Sequence, residues 1–503
     1  MARMRILIIK AFALKVLGKK KDAIECYENI LKLNVSNINL LYNAGLQLNG
    51  LDNKTAQKFF EEISKLDISN FDTNKLYIKG MSEYFLHHEH KAKEHLEKID
   101  VQNLDDSNIL LQVGIVLSNL DECDFAKSCF NKVVKITPTS ESDYIYIGTA
   151  YKYLIDLESE NIEELKKDAE KNYWEAVTKF NESIFQFNHF SPFLYNFFKN
   201  ISDNDNNKTD EDKNKMYHYT SIAGLKGILD KKEFWVTKSD FLNDPSETSY
   251  IFKVLEKLNY KESFINSLKE QINNEKKDVY ILSMTTEKDS LPMWKNYSND
   301  DGYNIKVDKD KFKNSFVNPG TYIMGKVIYI DNEEKNNKKQ YKPIKHLISS
   351  IYKSGKTYLK VNNKLKDEII KKTVFTHIRL ISLFVKHTGF EYEHEYRYAF
   401  IPQFWANNKI YESDDRITDQ RICNYNGIVN YYPNFRTNGK VVIPYITIPI
   451  YGLTDSDNRV IEEIRFSPTL DENVAKQGLD DYLKLNGIAK IDVKPSSIPF
   501  RNI

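Results

Sequence analysis

MYHYTSIAGLKGIL, residues 216–229, places a histidine between two tyrosines, follows it with Thr-Ser, and then opens a short apolar helical pattern. Alternation makes the first part a strand, with Tyr217 and Tyr219 on one face and His218 on the other. A histidine at such a strand end either meets a ligand hydroxyl in a cleft or bonds backbone inside a core. What stands on either side of the stretch decides between these two readings.

The stretch follows SDNDNNKTDEDKNK, residues 202–215, which holds no apolar or aromatic side chain. Such a segment has nothing to bury and reads as a polar linker, taken here as residues 201–215. The whole chain has 503 residues, too many for one ordinary domain, with 41% hydrophobic residues. Its 72 basic and 71 acidic residues leave a formal charge of +1, so no global field favours nucleic acid or an anionic membrane. No apolar run approaches the length of a membrane span. The opening MARMRILIIKAFALKVLG is broken by Lys10 and Lys15 and lacks a small-residue cleavage site, unlike a signal peptide. Four cysteines (Cys26, Cys123, Cys129, Cys423) show no metal-like pairing, and the expectation is a reduced, cytoplasmic protein without a metal.

Before the linker, small residues recur. Ala11, Gly45, Gly80, Gly114 and Gly148 are spaced 34, 35, 34 and 34 apart. Ala126, Phe130 and Val133 follow Gly114 at the offsets at which Ala23, Tyr27 and Ile30 follow Ala11. The second unit runs one place early at Ala56, and the fifth carries an insertion around residues 157–171. This pattern resembles the tetratricopeptide repeat, which implies paired antiparallel helices whose small residues allow close approach. Residues 1–200 are expected to form an all-α solenoid able to bind a protein or peptide partner.

After the linker, strands and helices mix without βαβ regularity. FWVT (234–237), 278–285, 303–307, 321–330, 396–401, 439–448 and 462–467 read as strands; 245–272, 340–387 and 471–486 read as helical. The class is α+β multidomain, and neither GxGxxG nor GxxxxGK[ST] occurs. Three further segments carry candidate chemistry. In LNDPSE (242–247), Asp244, Pro245 and Glu247 fit a helix cap, leaving Asn243 to orient a loop or touch a substrate. In MWKNY (293–297), Trp294 and Tyr297 share a helical face and either fill a core or form a stacking platform for a planar ring. In FEYEHEYRYAF (390–400), extended backbone would line up Glu391, Glu393, Glu395 and Arg397 on one face. Glu395 then either pairs with Arg397 or stands beside a sugar as a stabilising anion.

HYT (218–220), NDPSE (243–247), SMT with MWKNY and Gly302, and EHEYR (393–397) resemble, in order and spacing, the bacterial family known as domain of unknown function 2971, over residues 216–503. The closing EEIRFSPTL and VKPSSIPFR resemble that family's final strand–helix–strand, except that Phe466-Ser467-Pro468 stands where a Gly-Pro turn is expected. More distantly, the strand histidine and following helix are similar to ADP-ribosyltransferase-like folds. That resemblance implies NAD as substrate, with His218 and Thr220 on the ribose, Tyr297 on nicotinamide, Glu395 as the catalytic anion and Glu393 as a second acid. Tyr280 and Tyr303 are alternatives for the tyrosine. Tyr219, Asn243, Trp294 and Arg397 would complete the NAD site. The expected activity is an ADP-ribosyltransferase or NAD glycohydrolase effector, acting on a protein or nucleic-acid acceptor or water, by analogy in defence against phage. The alternative is a non-catalytic nucleotide- or nucleic-acid-binding module on an interaction scaffold.

Overall fold

The computed structural model describes residues 2–16, 19–33, 37–48, 53–67, 72–158, 160–180, 191–202, 214–242, 244, 248–274, 279–299, 301–313, 322–331, 338–400, 434–437, 441–450, 459–488 and 491–499. Asn243, Cys423 and most of the polar linker lie outside these residues. The chain divides into two compact units, and the division falls inside one helix, between Ala176 and Val177.

The described residues of the first unit form consecutive helices: α1 (Ala2–Val16), α2 (Lys20–Leu31), α3 (Ile38–Leu48), α4 (Asn53–Ser64), α5 (Thr73–Phe85), α6 (Glu89–Leu96), α7 (Ser107–Asn119), α8 (Cys123–Val133), α9 (Glu141–Leu157) and α10 (Ile162–Phe180). Neighbours pack as hairpins, and the periodic glycines explain how. A Cβ on Gly114 of α7 would lie 2.6 Å from the Phe130 ring of α8, and one on Gly80 would lie 2.5 Å from Leu96. Each glycine thus holds the large residue sixteen places on, and Gly45 meets Phe60 one place early, in step with the early Ala56. Ala11, Ala23, Ala92 and Ala126 are fully buried at matching positions. Polar caps close the connections: Ser140 and Asp143 form a capping box at the start of α9. Among the described residues no helix is long and apolar enough to cross a membrane.

The expected boundary at residue 200 is too late. Helix α11 (Pro192–Ser202) belongs to the second unit. Its Phe198 ring fills the space over Gly325, where a Cβ would approach to 2.2 Å, and stands edge-on to Phe384 at 4.7 Å. At its start, the buried Ser191 hydroxyl meets Nε2 of His377 at 2.7 Å, while Nδ1 of that ring meets the Thr373 carbonyl at 2.7 Å. A carbonyl can only accept, so Nδ1 carries the proton and Nε2 accepts from Ser191. Burial pushes the pKa of His377 down to about 4. The folded state therefore holds a neutral ring, and its stability falls as pH drops from 6.5 toward 4, where the unfolded chain takes up the proton first. A His377→Ala protein is expected to lose about 2–4 kcal/mol in urea denaturation at pH 7, from the stranded hydroxyl and the cavity. The difference from wild type should narrow at pH 5.

The rest of the second unit is built on one large sheet. Its strands are β1 (Lys215–Thr220), β2 (Glu233–Lys238), β3 (Tyr280–Thr285), β4 (Tyr303–Asp308), β5 (Tyr322–Lys326), β6 (Ile328–Ile330), β7 (Val385–His387), β8 (Glu395–Phe400), β9 (Asn434–Thr437), β10 (Val442–Pro449), β11 (Ile461–Phe466) and β12 (Asp492–Pro495). The order is β12-β11-β4-β1-β3-β2-β10-β9, with β8 beside β3 and β5 beside β8; β6 and β7 form a separate parallel pair. Pairing in the large sheet is antiparallel except between β11 and β12. The expected strand at 321–330 is thus two strands serving different sheets, parted at Val327. The expected helix at 340–387 is two helices, Lys338–Tyr358 and Asn363–Ser382, followed by β7.

One irregularity positions the site: the sheet forks at β3. One edge of β3 pairs with β8 along its whole length, Tyr280 to Thr285 against Phe400 to Glu395. The other edge meets β1 only at Thr285, opposite Tyr217, and β2 only at Tyr280 and Ile281. Between those contacts β3 needs other partners for its backbone groups.

Candidate functional site

His218 stands at the fork. Its Nδ1 lies 3.2 Å from the Ser283 carbonyl, one of the β3 groups left between β1 and β2, and its ring packs edge-on against Phe234 at 5.4 Å. Because the carbonyl only accepts, Nδ1 carries the proton. Burial, aided by the Arg436 charge, pushes its pKa down to about 4, so the ring is neutral at pH 7 with Nε2 able to accept. Tyr217 and Tyr219 turn to the opposite face, as alternation requires, and pack with Met293 and Trp294. The Tyr219 hydroxyl donates to the Glu287 carbonyl at 3.2 Å and accepts from the Ser290 amide at 3.0 Å. Tyr219 therefore ties the loop after β3 to β1. The Thr220 side chain lies over Gly224, in the first turn of the helix Ile222–Lys231, where a Cβ would collide with its hydroxyl.

The helix Leu291–Tyr297 carries the aromatic pair. Trp294 is 1% exposed, and its Nε1 donates to Asp289 at 2.7 Å, an aspartate that also accepts from Ser496 and Ser497 in the closing segment. A ring buried in this way presents no face to a ligand, so Trp294 is a core residue and not a stacking platform. Tyr297 packs on the same cluster and sends its hydroxyl to Oε1 of Glu393.

The segment before β8 is not extended. Thr388–Glu393 is a turn of 3-10 helix, capped by His387, and His394 adopts left-handed backbone with φ 40°. The strand begins only at Glu395. Glu391 consequently points to solvent, while Glu393 and Glu395 both turn inward. They converge on Lys386 of β7, whose Nζ lies 2.8 Å from Glu393 Oε2 and 2.9 Å from Glu395 Oε2. Arg397 grips Glu395 bidentately, Nε to Oε1 at 2.6 Å and Nη2 to Oε2 at 3.0 Å, and its Nη1 donates to the Leu383 carbonyl at 2.6 Å. The Glu395 amide donates to the Tyr329 hydroxyl at 2.9 Å. All four charged side chains are buried, Arg397 completely.

Two carboxylates against one ammonium and one guanidinium make a charge-balanced cluster, and the two acids differ. Burial works against ionisation of Glu395, but Arg397 and Lys386, with the Ser283 side chain, hold its pKa down to about 2. Glu393 shifts upward, because burial outweighs Lys386 and the neighbouring Glu395 charge adds to it. Burial and the Glu393 charge also raise the Tyr297 hydroxyl's pKa. Glu395 is a fixed anion, and Glu393 is the acid closer to exchanging a proton.

Of the residues singled out from sequence, Tyr297, Glu393, Glu395 and Arg397 thus share one cluster. His218 reaches it only through Ser283, whose carbonyl it bonds and whose side chain faces Glu395. Tyr219 and Trp294 are packing and loop-anchoring residues. Tyr303, an alternative for the stacking tyrosine, lies in β4, and Tyr280 lies at the far end of β3 from Thr285. Asn243 lies outside the described residues, and so do Pro245 and Glu247; the next helix is Tyr250–Lys257, so Asp244 does not cap it. Lys386 escaped sequence reading, because it falls in an expected helix and no spacing connects it to EHEYR; Ser283 was noted only as the start of SMT, not as a partner of Glu395.

A family model described as a protein of unknown function, DUF2971, matches residues 293–398. The matched segment runs from MWKNY through EHEYR and so contains the whole charged cluster, whereas HYT and NDPSE lie outside it. Among solved structures, one titled "Crystal structure of MamA protein" is 22% identical with a TM-score of 0.26, covering 36% of this chain and 94% of that one. Another, "Crystal structure of MamA", is 21% identical with a TM-score of 0.25, covering 34% and 95%. No curated protein matches the chain.

Proposed function

We propose that the second unit is an NAD-consuming, ADP-ribosyltransferase-like domain and that the helical repeats are a protein-binding arm that senses or targets. The observation that carries the first part is the meeting of Tyr297, Glu393 and Glu395 at the start of β8. In this reading the nicotinamide glycosidic bond breaks with its electron pair leaving on neutral nicotinamide. Glu395 stabilises the ribosyl cation as a fixed anion. Glu393 takes the proton of the attacking water or acceptor hydroxyl as the new bond to C1′ forms. His218 would accept a ribose hydroxyl at Nε2. The arm rests on stacked hairpins, which present extended surfaces suited to peptides.

Release of nicotinamide from NAD by the purified full chain, with and without cell lysate as a source of acceptors, tests this. Glu393→Gln and Tyr297→Phe are each expected to slow turnover, the former by about a hundredfold, with far-UV circular dichroism unchanged. No nicotinamide release under any of these conditions sinks the enzymatic reading. A non-catalytic binding module is the second reading, and Arg397 favours it, because it occupies both oxygens of Glu395 inside the core.

A further inference from the structure

A cleft of about 690 Å³, none of whose lining residues belongs to the charged cluster, is walled by Tyr260, Lys261 and the first turns of the helix Glu262–Asn274 and by the helices Lys338–Tyr358 and Asn363–Ser382. This volume falls within the range of small-ligand sites. Three aromatic side chains form its walls. Tyr260 and Phe264 are stacked, with centroids 5.2 Å apart and planes at 27°, and Phe264 is braced edge-on by Phe375 at 5.0 Å. Tyr352 comes from the neighbouring helix and is 37% exposed, unusual for so large a ring in the wall of a cleft. Burial and the Tyr352 hydroxyl both raise the pKa of Tyr260, as two phenols facing one space require.

The charges lining the cleft have one sign. Lys261 and Lys371 contribute ammonium groups, and among the described residues no carboxylate lines the walls. Lys371 is held over the Phe375 ring at 5.2 Å, which keeps its charge close to the aromatic wall. The acid whose field reaches Tyr352 is Asp367, and that carboxylate is paired with Lys356. On a chain whose total charge is only +1, an aromatic cleft with two lysines and no acid among its described lining residues is a local preference for anions. The exposed Tyr352 ring is the face on which a planar ring can stack, with the Tyr260–Phe264 stack as a side wall, while an anionic group meets the lysines.

We infer that this cleft binds a planar aromatic ring carrying a phosphate, a ligand of the mononucleotide class. The site is separate from the proposed NAD chemistry and does not depend on it. Calorimetric titration of the full chain with adenosine 5′-monophosphate, adenosine and inorganic phosphate tests it. The expected result is binding of the monophosphate at least about tenfold tighter than either half, weakened by about tenfold or more in Tyr352→Ala and in Lys371→Glu. Lys371 is exposed, so its variant should keep the wild-type melting temperature, and far-UV circular dichroism checks that the variant of the partly covered Tyr352 stays folded at the titration temperature. Absence of heat at about 1 mM monophosphate, or binding that survives both variants, overturns the assignment. Binding lost in Tyr297→Phe but kept in the two cleft variants would move the ligand to the other site and overturn it as well.

Discussion

An Arg397→Met protein is expected to lose about 3–5 kcal/mol of stability at pH 7, because it leaves Glu395 buried without its clamp. Arg397 is wholly buried, gives Glu395 two hydrogen bonds, and satisfies the Leu383 carbonyl with a third. The sign of the pH dependence separates this effect from simple loss of packing. In the wild type, Glu395 falls from 4.5 to about 2 on folding. A depressed carboxylate contributes stability that is fully present above its unfolded pKa and is lost as pH falls through its folded pKa, here worth roughly 3 kcal/mol. In the variant Lys386 and Ser283 still favour the ionised form but the larger opposing charge, Arg397, is gone, so the downward shift is smaller and protonation costs less. The difference between the two proteins should therefore be largest at pH 7 and shrink below about pH 4.5, as read by urea denaturation across pH. A loss independent of pH would mean that Arg397 acts through its volume alone. The paired variant Glu395→Gln with Arg397→Met should recover part of the loss, which a double-mutant cycle measures.

The same cluster shows how far a single sequence can be read. The repeats were legible because each glycine answers a packing demand across its own hairpin, so Gly45, Gly80 and Gly114 must recur wherever Phe60, Leu96 and Phe130 do. The carboxylate pair was legible as a pair, but for a mistaken reason. Alternation from Phe390 to Phe400 suggests one long strand, whereas the Gly389 amide donating to His387 and the left-handed His394 wind the first part into a 3-10 turn. Glu393 and Glu395 still converge because the turn rotates Glu393 back toward Lys386. That lysine comes from a three-residue strand too short to carry a period of its own. Trp294 was ambiguous for a related reason: helical spacing says which residues share a face and not whether anything covers it. Here Tyr217 and Tyr219 do. The α11 boundary was missed because Phe193, Phe197 and Phe198 would look equally at home in a repeat helix, and only the packing of Phe193 on His377 and of Phe198 on Phe384 assigns the helix.

Gly302→Ala is the second substitution expected to have a large effect, and it acts through backbone alone. A Cβ at this position would stand 2.3 Å from the Thr220 carbonyl and 2.5 Å from the Ser298 carbonyl. Both obstacles are main chain, so neither can swing aside as a flexible side chain would. The Gly302 carbonyl also accepts from the Ser467 amide at 3.0 Å, in the turn where Phe466-Ser467-Pro468 replaces an expected Gly-Pro. One glycine thus locks the end of β1, the end of the Trp294 helix and the exit of β11 together. Moving it shifts β1 along its pairing with β4, where Thr220 sits opposite Tyr303 and His218 opposite Ile305. An overpacked backbone contact of this kind costs about 3 kcal/mol, measured as a fall in the urea midpoint with an unchanged slope. The displacement should also reach the fork, because His218 and Thr220 ride on the same six-residue strand. Its sensitive readout is the His218 ring: loosening the bond to the Ser283 carbonyl admits water, and the pKa of about 4 should rise toward the ordinary value of 6.5 in a proton NMR titration. A variant that lowers stability while leaving that titration in place would confine the role of Gly302 to packing. A variant that moves both would tie the geometry of the fork to this one close approach.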